Sequence, residues 1–328
     1  MNKPPFEITN KSLNLMVQIS EKIGRLQADY EKQLHLRKNN RLRSIQASLA
    51  IENNSMSLEQ VTDIINGKRV LGSPKEIQEV KNAYDAYEKI HHFSPYSVKD
   101  FLMAHRLMMQ GLTNDAGSFR TGDVGIFNHQ GEVIHMGARP EFVPKLVKDL
   151  FDWAKNDDTP ALIKSCVIHY ELELIHPFAD GNGRMGRLWQ SVLLSKENPV
   201  FEWLPIETMV YEHQNEYYAT LRQADKTSSA TVFIEFILAT ILETIQTYPE
   251  KQMSDIMSDM VSDKFSTLEK EAYSKIKYYL DNHAQISNQQ AQQLLAKSAP
   301  TVRRYLNKFV AYGLLQASGK NKARIYFK

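Results

Sequence analysis

The sequence predicts a mainly α-helical protein with one small β-hairpin and a separate C-terminal module of three helices and two short strands. Three observations predict it. Apolar residues recur at helical spacing over most of the 328 residues, the pattern of helices that share a core. That pattern breaks between Gly117 and Pro140, where Val124, Ile126, Val133 and Ile134 flank Asn128-His129-Gln130-Gly131, which reads as a hairpin with a short glycine-containing loop. Charge then changes at Phe265: eleven Lys/Arg face three Asp/Glu from there to Lys328, a net of +8, so the remainder carries −6 of the overall +2. Such asymmetry marks a separate basic module.

The elements follow in order. Pro4 and Pro5 precede a long segment from Ser12 to Asn54 with Leu13, Met16, Ile23, Leu26 and Tyr30 on a helical stripe; Asn39-Asn40 is expected to break it in two. Its second piece, Leu42 to Asn54, is an amphipathic helix with a polar end. After the turns at Asn66-Gly67 and Leu71-Gly72-Ser73-Pro74, Glu76–His92 and Val98–Met109 read as helices, with His105 a core or capping histidine. Phe142–Ala154 is amphipathic. Ile163, Cys166, Val167, Tyr170 and Leu174 lie on a helix that is apolar nearly all round, hence buried. Tyr211–Asp225 and Val232–Ile245 are two further helices, and Gln246–Lys264, rich in Ser, Asp and Met, is a connector. In the basic module, Tyr273, Ile276, Tyr279 and Leu280 suit one helix. Ile286, Ala291, Leu294 and Leu295 suit a second, capped by Ser287. Val302, Tyr305, Leu306 and Phe309 suit a third, which Gly313 ends, before Ser318-Gly319-Lys320-Asn321 turns between two strands.

Composition excludes some classes. No run approaches the ~20 apolar residues of a membrane span. Met1 to Lys11 has no basic stretch followed by an apolar block, so no secretory signal is visible. Cys166 is the only cysteine, which excludes an internal disulfide and fits a reducing, cytoplasmic setting.

The chemistry concentrates in His176-Pro177-Phe178-Ala179-Asp180-Gly181-Asn182-Gly183-Arg184-Met185-Gly186-Arg187. Pro177 ends the buried helix, because the residue before proline is pushed out of the α region. Met185, Leu188, Trp189, Val192 and Leu193 begin another. Gly181, Asn182 and Gly183 therefore sit at a helix N-terminus, where free N–H groups and the helix dipole favour an anion. Arg184 and Arg187 lie three apart and can both face it. His176 is a candidate base, and Asp180 a candidate magnesium ligand. Together these residues describe a nucleotide site with a base beside it.

This stretch resembles the signature of the Fic family, His-Pro-Phe-x-Asp/Glu-Gly-Asn-Gly-Arg-x-x-Arg, with all nine specified positions matched. The resemblance covers roughly Leu42 to Phe236. It implies a Fic-fold helical core over 94–245 behind an N-terminal helical region over 1–93; after the connector over 246–264, the three helices and β wing of 265–328 separately resemble a winged helix-turn-helix domain. It further implies a protein adenylyltransferase that moves AMP from ATP to a Ser, Thr or Tyr hydroxyl. In that reading His176 is the general base, Phe178 anchors the loop and Asp180 holds Mg2+. Gly181, Asn182 and Gly183 cradle phosphate, while Arg184 and Arg187 orient it. Ser48-x-x-x-Glu52-Asn53 resembles the family's inhibitory motif, whose glutamate pairs with the second arginine, here Arg187. A hundredfold suppression needs only ~2.7 kcal/mol of added barrier.

The hairpin, with Phe119-Arg120 before it, resembles the family's flap, which holds the target protein as an added strand; Ile134 to Met136 would cover the nucleotide. A plain structural hairpin is the alternative. Tyr217-Tyr218 resembles positions that wall the adenine, with core packing the alternative, and Asp225 stands where relatives often carry asparagine. In the C-terminal domain Arg303, Arg304, Lys308, Lys320, Lys322 and Arg324 are the expected DNA contacts, mostly to phosphate. The same fold can serve instead as a docking module or join a homodimer. Other outcomes left open are AMP removal, transfer of another phosphate-linked group, or a DNA-binding regulator in which the Fic core is secondary.

Overall fold

The computed structural model describes residues 3–30, 34–127, 133–202, 204–311, 314–319 and 324–327. The expected hairpin loop Asn128-His129-Gln130-Gly131, together with Gly313, Lys320, Asn321 and Lys322, lies outside them. The chain forms two compact units, Met1–Tyr248 and Pro249–Lys328.

Unit 1 is helical. Its N-terminal helices are α1 (Asn10–Tyr30), α2 (Leu34–Ile51), α3 (Leu58–Ile65) and α4 (Pro74–Glu88). Asn39 and Asn40 do not break the chain: both lie inside α2, and Asn40 is buried. Asparagine costs only a few tenths of a kcal/mol in a helix interior, and packing overrides so weak a preference. Serines start the next helices as caps. The Ser57 and Gln60 side chains form a capping box on α3, Ser73 caps α4, and Ser97 caps α5 (Val98–Met109).

The strands β1 (Gly125–Phe127) and β2 (Val133–Met136) pair antiparallel. Their register shifts between Ile126 and Phe127, so Ile134 has no residue directly opposite. The hairpin is tied to the rest at its base. Arg120, almost fully buried, donates through Nε to the His176 carbonyl at 2.6 Å and through its Nη atoms to the carbonyls of Gly122 (2.8 Å), Ile175 (3.3 Å) and Ala138.

The centre is the pair α7 (Ala161–Ile175) and α8 (Asn182–Glu197), flanked by α6 (Val143–Asn156). Leu162, Ile163, Cys166, Val167, Ile168, Tyr170, Leu172 and Ile175 are all buried, as an all-round apolar helix requires. Phe101, Phe151, Phe178 and Trp189 stack around it with ring centroids 5.0 to 5.9 Å apart. The single expected helix at Tyr211–Asp225 is two, α9 (Ile206–Glu212) and α10 (Gln214–Thr227), meeting at His213. α11 (Thr231–Lys264) runs through the expected connector, which is therefore helical, and the boundary between units falls within it. Its polar composition reads as loop only if helix is equated with an apolar stripe.

A buried carboxylate fastens α2 to this core. Glu207 on α9 accepts hydrogen bonds from Ser44 of α2 (2.7 Å), Tyr87 of α4 (3.0 Å) and Ser191 of α8 (2.9 Å). Arg41 of α2, also buried, reaches Glu88 (3.2 Å), Glu202 (2.9 Å) and the Tyr87 carbonyl. Four elements thus meet at charges that are costly to bury unpaired.

Unit 2 has its own core of Phe265, Ile276, Leu280, Ile286, Val302, Leu306, Phe309 and Tyr326 among others. It comprises α12 (Thr267–Asn282), α13 (Asn288–Leu295), α14 (Ala299–Ala311) and the strands β3 (Ile286–Ser287), β4 (Gln316–Ser318) and β5 (Ile325–Phe327), in sheet order β3-β5-β4. Ile286, assigned from sequence to the second helix, is instead a strand residue paired with Tyr326. Ser287 caps α13 as expected. A two-residue strand is too short to show period-two alternation, so the sequence pattern cannot reveal it. Among the described residues no helix is long and apolar enough to cross a membrane.

Gly186 of α8 lies where an added Cβ would sit 2.8 Å from Glu173 Oε1 and 2.8 Å from His169 Cδ2. His169 is itself fixed by Gln190 (2.8 Å) and Tyr217 (3.1 Å). Gly186→Ala should therefore destabilise unit 1 by about 1–3 kcal/mol, against the ~1 kcal/mol that helix propensity alone would add. A shift of the urea midpoint to higher denaturant would refute this packing.

Candidate active site

The signature loop begins where α7 ends. His176 adopts the left-handed conformation, φ 52° and ψ 64°, and its N–H closes the helix on the Leu172 carbonyl. This is uncommon for a residue with a Cβ, and the Arg120 bond to the His176 carbonyl holds it there. The ring Nδ1 stands 3.2 Å from the Glu173 carbonyl. A carbonyl only accepts, so Nδ1 is the nitrogen that carries a proton in this contact, which leaves Nε2 as the nitrogen that could act as a base.

Phe178 is fully buried and stacks on His105, with centroids 3.6 Å apart and planes 6° apart. His105 is the core histidine expected from sequence, with a further task. Its Nε2 donates to the Asp180 carbonyl at 3.0 Å, and its Nδ1 accepts the Gly117 N–H at 2.9 Å. Asn182 works on the same turn: Oδ1 accepts the Phe178 N–H and Nδ2 donates to the Phe178 carbonyl, both at 2.8 Å. Its side chain thus shapes the loop rather than pointing at an anion. Gly181 caps α8 at φ 85°, a conformation that favours glycine. Asp180 is half exposed, and its Oδ1 accepts the Gly181 N–H (2.6 Å) and an Arg184 Nη2 proton (3.0 Å).

The two arginines do not converge on one point. Each has its own carboxylate. Arg187 is buried; its Nη2 donates to Glu52 Oε1 at 2.7 Å and to the Ser48 carbonyl at 3.1 Å, and its Nε to Ser48 Oγ at 3.1 Å. Burial alone would lower the guanidinium's pKa, but the Glu52 carboxylate more than offsets this and raises it. A Cβ at Gly183 would overlap Glu52 Oε1, so glycine there lets Glu52 lie over the start of α8. Asn53, at φ 65°, ends α2 just after Glu52. Arg184, equally buried, meets Glu79 Oε1 of α4 at 3.6 Å, a partner that nothing in the sequence pattern singles out.

The tyrosine pair divides. Tyr217 is 1% exposed, bonded to His169 and packed against Phe233, so it is a core residue and not an open wall for a base. Tyr218 keeps a solvent-facing part, and its hydroxyl lies 3.4 Å from the Ile51 carbonyl, beside Gln214 Nε2 at 3.1 Å. α10 thereby caps the end of α2. Asp225 accepts a hydrogen bond from Tyr170 at 3.2 Å. Ile134 lies on β2, with its side chain outside the described residues. In unit 2, Arg303 and Arg304 are exposed on α14. Lys308 is not available as expected, because it pairs with Glu269 at 2.9 Å and lies over the Phe265 ring.

Burial pushes the His105 imidazole down to about 4, against the pull of its bond to the Asp180 carbonyl. Burial likewise holds His169 down at about 3. Both rings are neutral when folded, whereas the unfolded chain binds their protons near pH 6.5. Their contribution to stability is complete above about pH 6.5 and is lost as pH falls toward 4 and 3. The urea midpoint should drop across that window, and nitrogen NMR should show both rings neutral at about pH 5.5; a protonated His105 there would refute its buried neutral state.

Comparison with known proteins agrees with this geometry. The Fic/DOC family model matches residues 95–194, the stretch from the start of α5 to α8. Protein adenylyltransferase fic-1 of Caenorhabditis elegans is 29% identical over 245 residues, 70% of this chain and 46% of that protein. The probable protein adenylyltransferase aq_aa38 of Aquifex aeolicus is 25% identical over 218 residues, 63% of this chain and 64% of its own. The chain thus spans less than two thirds of either curated relative. A crystal structure of a Fic family protein from Desulfovibrio desulfuricans G20 aligns over 99% of this chain and 98% of its own, with 38% identity and a TM-score of 0.73. With a likeness of that extent and the signature loop folded as described, the chain belongs to the Fic family.

Proposed function

We propose that this chain is a protein adenylyltransferase that moves AMP from ATP to a hydroxyl of a target protein and of itself, and that Glu52 restrains it. The observation that carries this reading is the Glu52–Arg187 pair at 2.7 Å, set against a signature loop whose base and exposed carboxylate are in place. The names of the curated relatives support it.

The residues present suit a nucleotide. Arg184 is 4% exposed, and its Nε has no hydrogen-bond partner among the described residues. A buried orphan donor of this kind suits a phosphate oxygen. Among the described residues no cluster of three His, Cys, Asp or Glu could hold a metal alone. A cation beside Asp180 would therefore take one carboxylate and complete its shell with phosphate and water, the usual magnesium pattern. Bound there, Mg2+ would offset charge on the α and β phosphates.

His176 Nε2 takes the proton from the target hydroxyl. The hydroxyl oxygen bonds to the α-phosphorus in line as the bond to the bridging oxygen breaks, and pyrophosphate leaves. Arg184 orients phosphate, and Arg187 does so once Glu52 has left it. The flap hairpin would hold the target segment as an added strand. For unit 2, the exposed Arg303 and Arg304 and the helix–helix–strand order support a winged helix that contacts phosphate backbone or docks protein.

His176→Ala should abolish AMP transfer while leaving ATP binding intact, and Glu52→Gly should raise self-modification by about a hundredfold if the pair contributes the ~2.7 kcal/mol considered above. Radiolabelled ATP and mass spectrometry read both. Full transfer in the His176 variant would remove the base, and an unchanged rate in the Glu52 variant would remove the restraint. Release of AMP from a pre-modified protein, without any transfer, would assign the site to hydrolysis.

A further inference from the structure

Arg184, the first arginine of the signature, has a more elaborate setting than the family motif describes. Its Nη1 faces Glu79 Oε1 at 3.6 Å, its Nη2 faces Asp180 Oδ1 at 3.0 Å, and its Nε has no partner among the described residues. Glu79 is itself largely buried, 12% exposed, and its Oε2 accepts from Asn54 Nδ2 at 2.8 Å. Lys75 also approaches it, 4.0 Å from Oε1 on an exposed side chain.

Asn54 is fixed in turn. Its Nδ2 also donates to the Glu76 carbonyl at 3.2 Å, its Oδ1 accepts the Met56 N–H at 3.0 Å, and its own N–H closes on the Leu49 carbonyl at 3.0 Å. That last bond places it in the turn that ends α2, two residues after Glu52. A chain of polar groups therefore runs from the end of the restraining helix through Glu79 to Arg184.

We propose that Glu79 is a positioning residue for Arg184 in the transfer reaction, and that Asn54 holds Glu79 in place. The proposal rests on the nucleotide reading above. A guanidinium is planar and offers two forks for paired acceptors. With Nη1 directed at Glu79, the Nε–Nη2 edge lies on the other side of the group, and that edge suits two phosphate oxygens. Its Nε is already unpartnered, and Nη2 is engaged only by Asp180, the carboxylate that would turn to a cation. The negative charge of Glu79 lies across the guanidinium from that edge, so the cation stands between it and an incoming phosphate. The end of α2 then has two opposite effects: Glu52 blocks Arg187, while Asn54 and Glu79 keep Arg184 presented.

The test uses the full chain carrying Glu52→Gly, with ATP and magnesium, and reads ATP affinity by calorimetry beside the rate at saturating ATP. Glu79→Gln should weaken ATP binding about tenfold, the scale of lost outer-shell support, with the saturated rate within about twofold. Asn54→Ala should weaken binding in the same direction, Glu79→Asp should restore most of the loss, and Asp85→Asn, exposed on the same helix, should change nothing. Unchanged affinity in both Glu79→Gln and Asn54→Ala would overturn the proposal, as would a loss confined to the saturated rate. Tighter binding would overturn it too, because Glu79 would then be a second blocker. If Glu52→Gly alone binds no ATP, the nucleotide reading falls and the proposal falls with it; if it binds and the Glu79 variant matches it, only the proposal falls.

Discussion

A buried arginine has to be satisfied, and the site is arranged around that requirement. Arg187 is 3% exposed on α8, where an unpaired guanidinium would cost several kcal/mol. Among the described residues its acceptors all come from α2 and its end: the Ser48 hydroxyl, the Ser48 carbonyl and Glu52. Two of those acceptors sit on Ser48 within α2, and the third is the side chain of Glu52 just past its end.

Helix α2 is part of the fold, and the restraint proposed for Glu52 concerns only its tip. Glu207 and Arg41 anchor α2 with buried charges and hydroxyls, and Leu42, Ile45, Leu49 and Ile51 add apolar contact with the core. The tip is secured differently. Glu52 is about one third exposed, and just beyond it Asn53 adopts a left-handed conformation that ends the helix. Moving one side chain there exposes no apolar core, whereas moving the helix would expose a great deal.

Much of this was legible in the sequence because it was local. The all-apolar α7 and the proline and glycine punctuation around His176 match local spacing rules, whereas Ser48 and Glu52 stand out only through their resemblance to the Fic family's inhibitory motif. What escaped notice was the set of partners that folding brings from afar. Glu79 meets Arg184 from another helix, and no spacing rule joins them. Tyr217 and Lys308 carry the chemistry expected of binding residues, but His169 and Glu269 claim them first. Asn39-Asn40 and the polar stretch after Ile245 misled for the opposite reason: composition suggested a break, yet the backbone stays helical through both. Weak local preference yields to tertiary packing.

The order of the chain bears on how the protein is made. Glu52 precedes Arg187 by 135 residues, and every residue of the signature loop lies between them or ends at Arg187. Chains grow from the N-terminus and fold in that direction during synthesis. A ribosome-bound chain long enough to hold the complete loop therefore already contains the glutamate that pairs with Arg187. No stage of synthesis yields the finished loop on a chain that still lacks the carboxylate partner of Arg187.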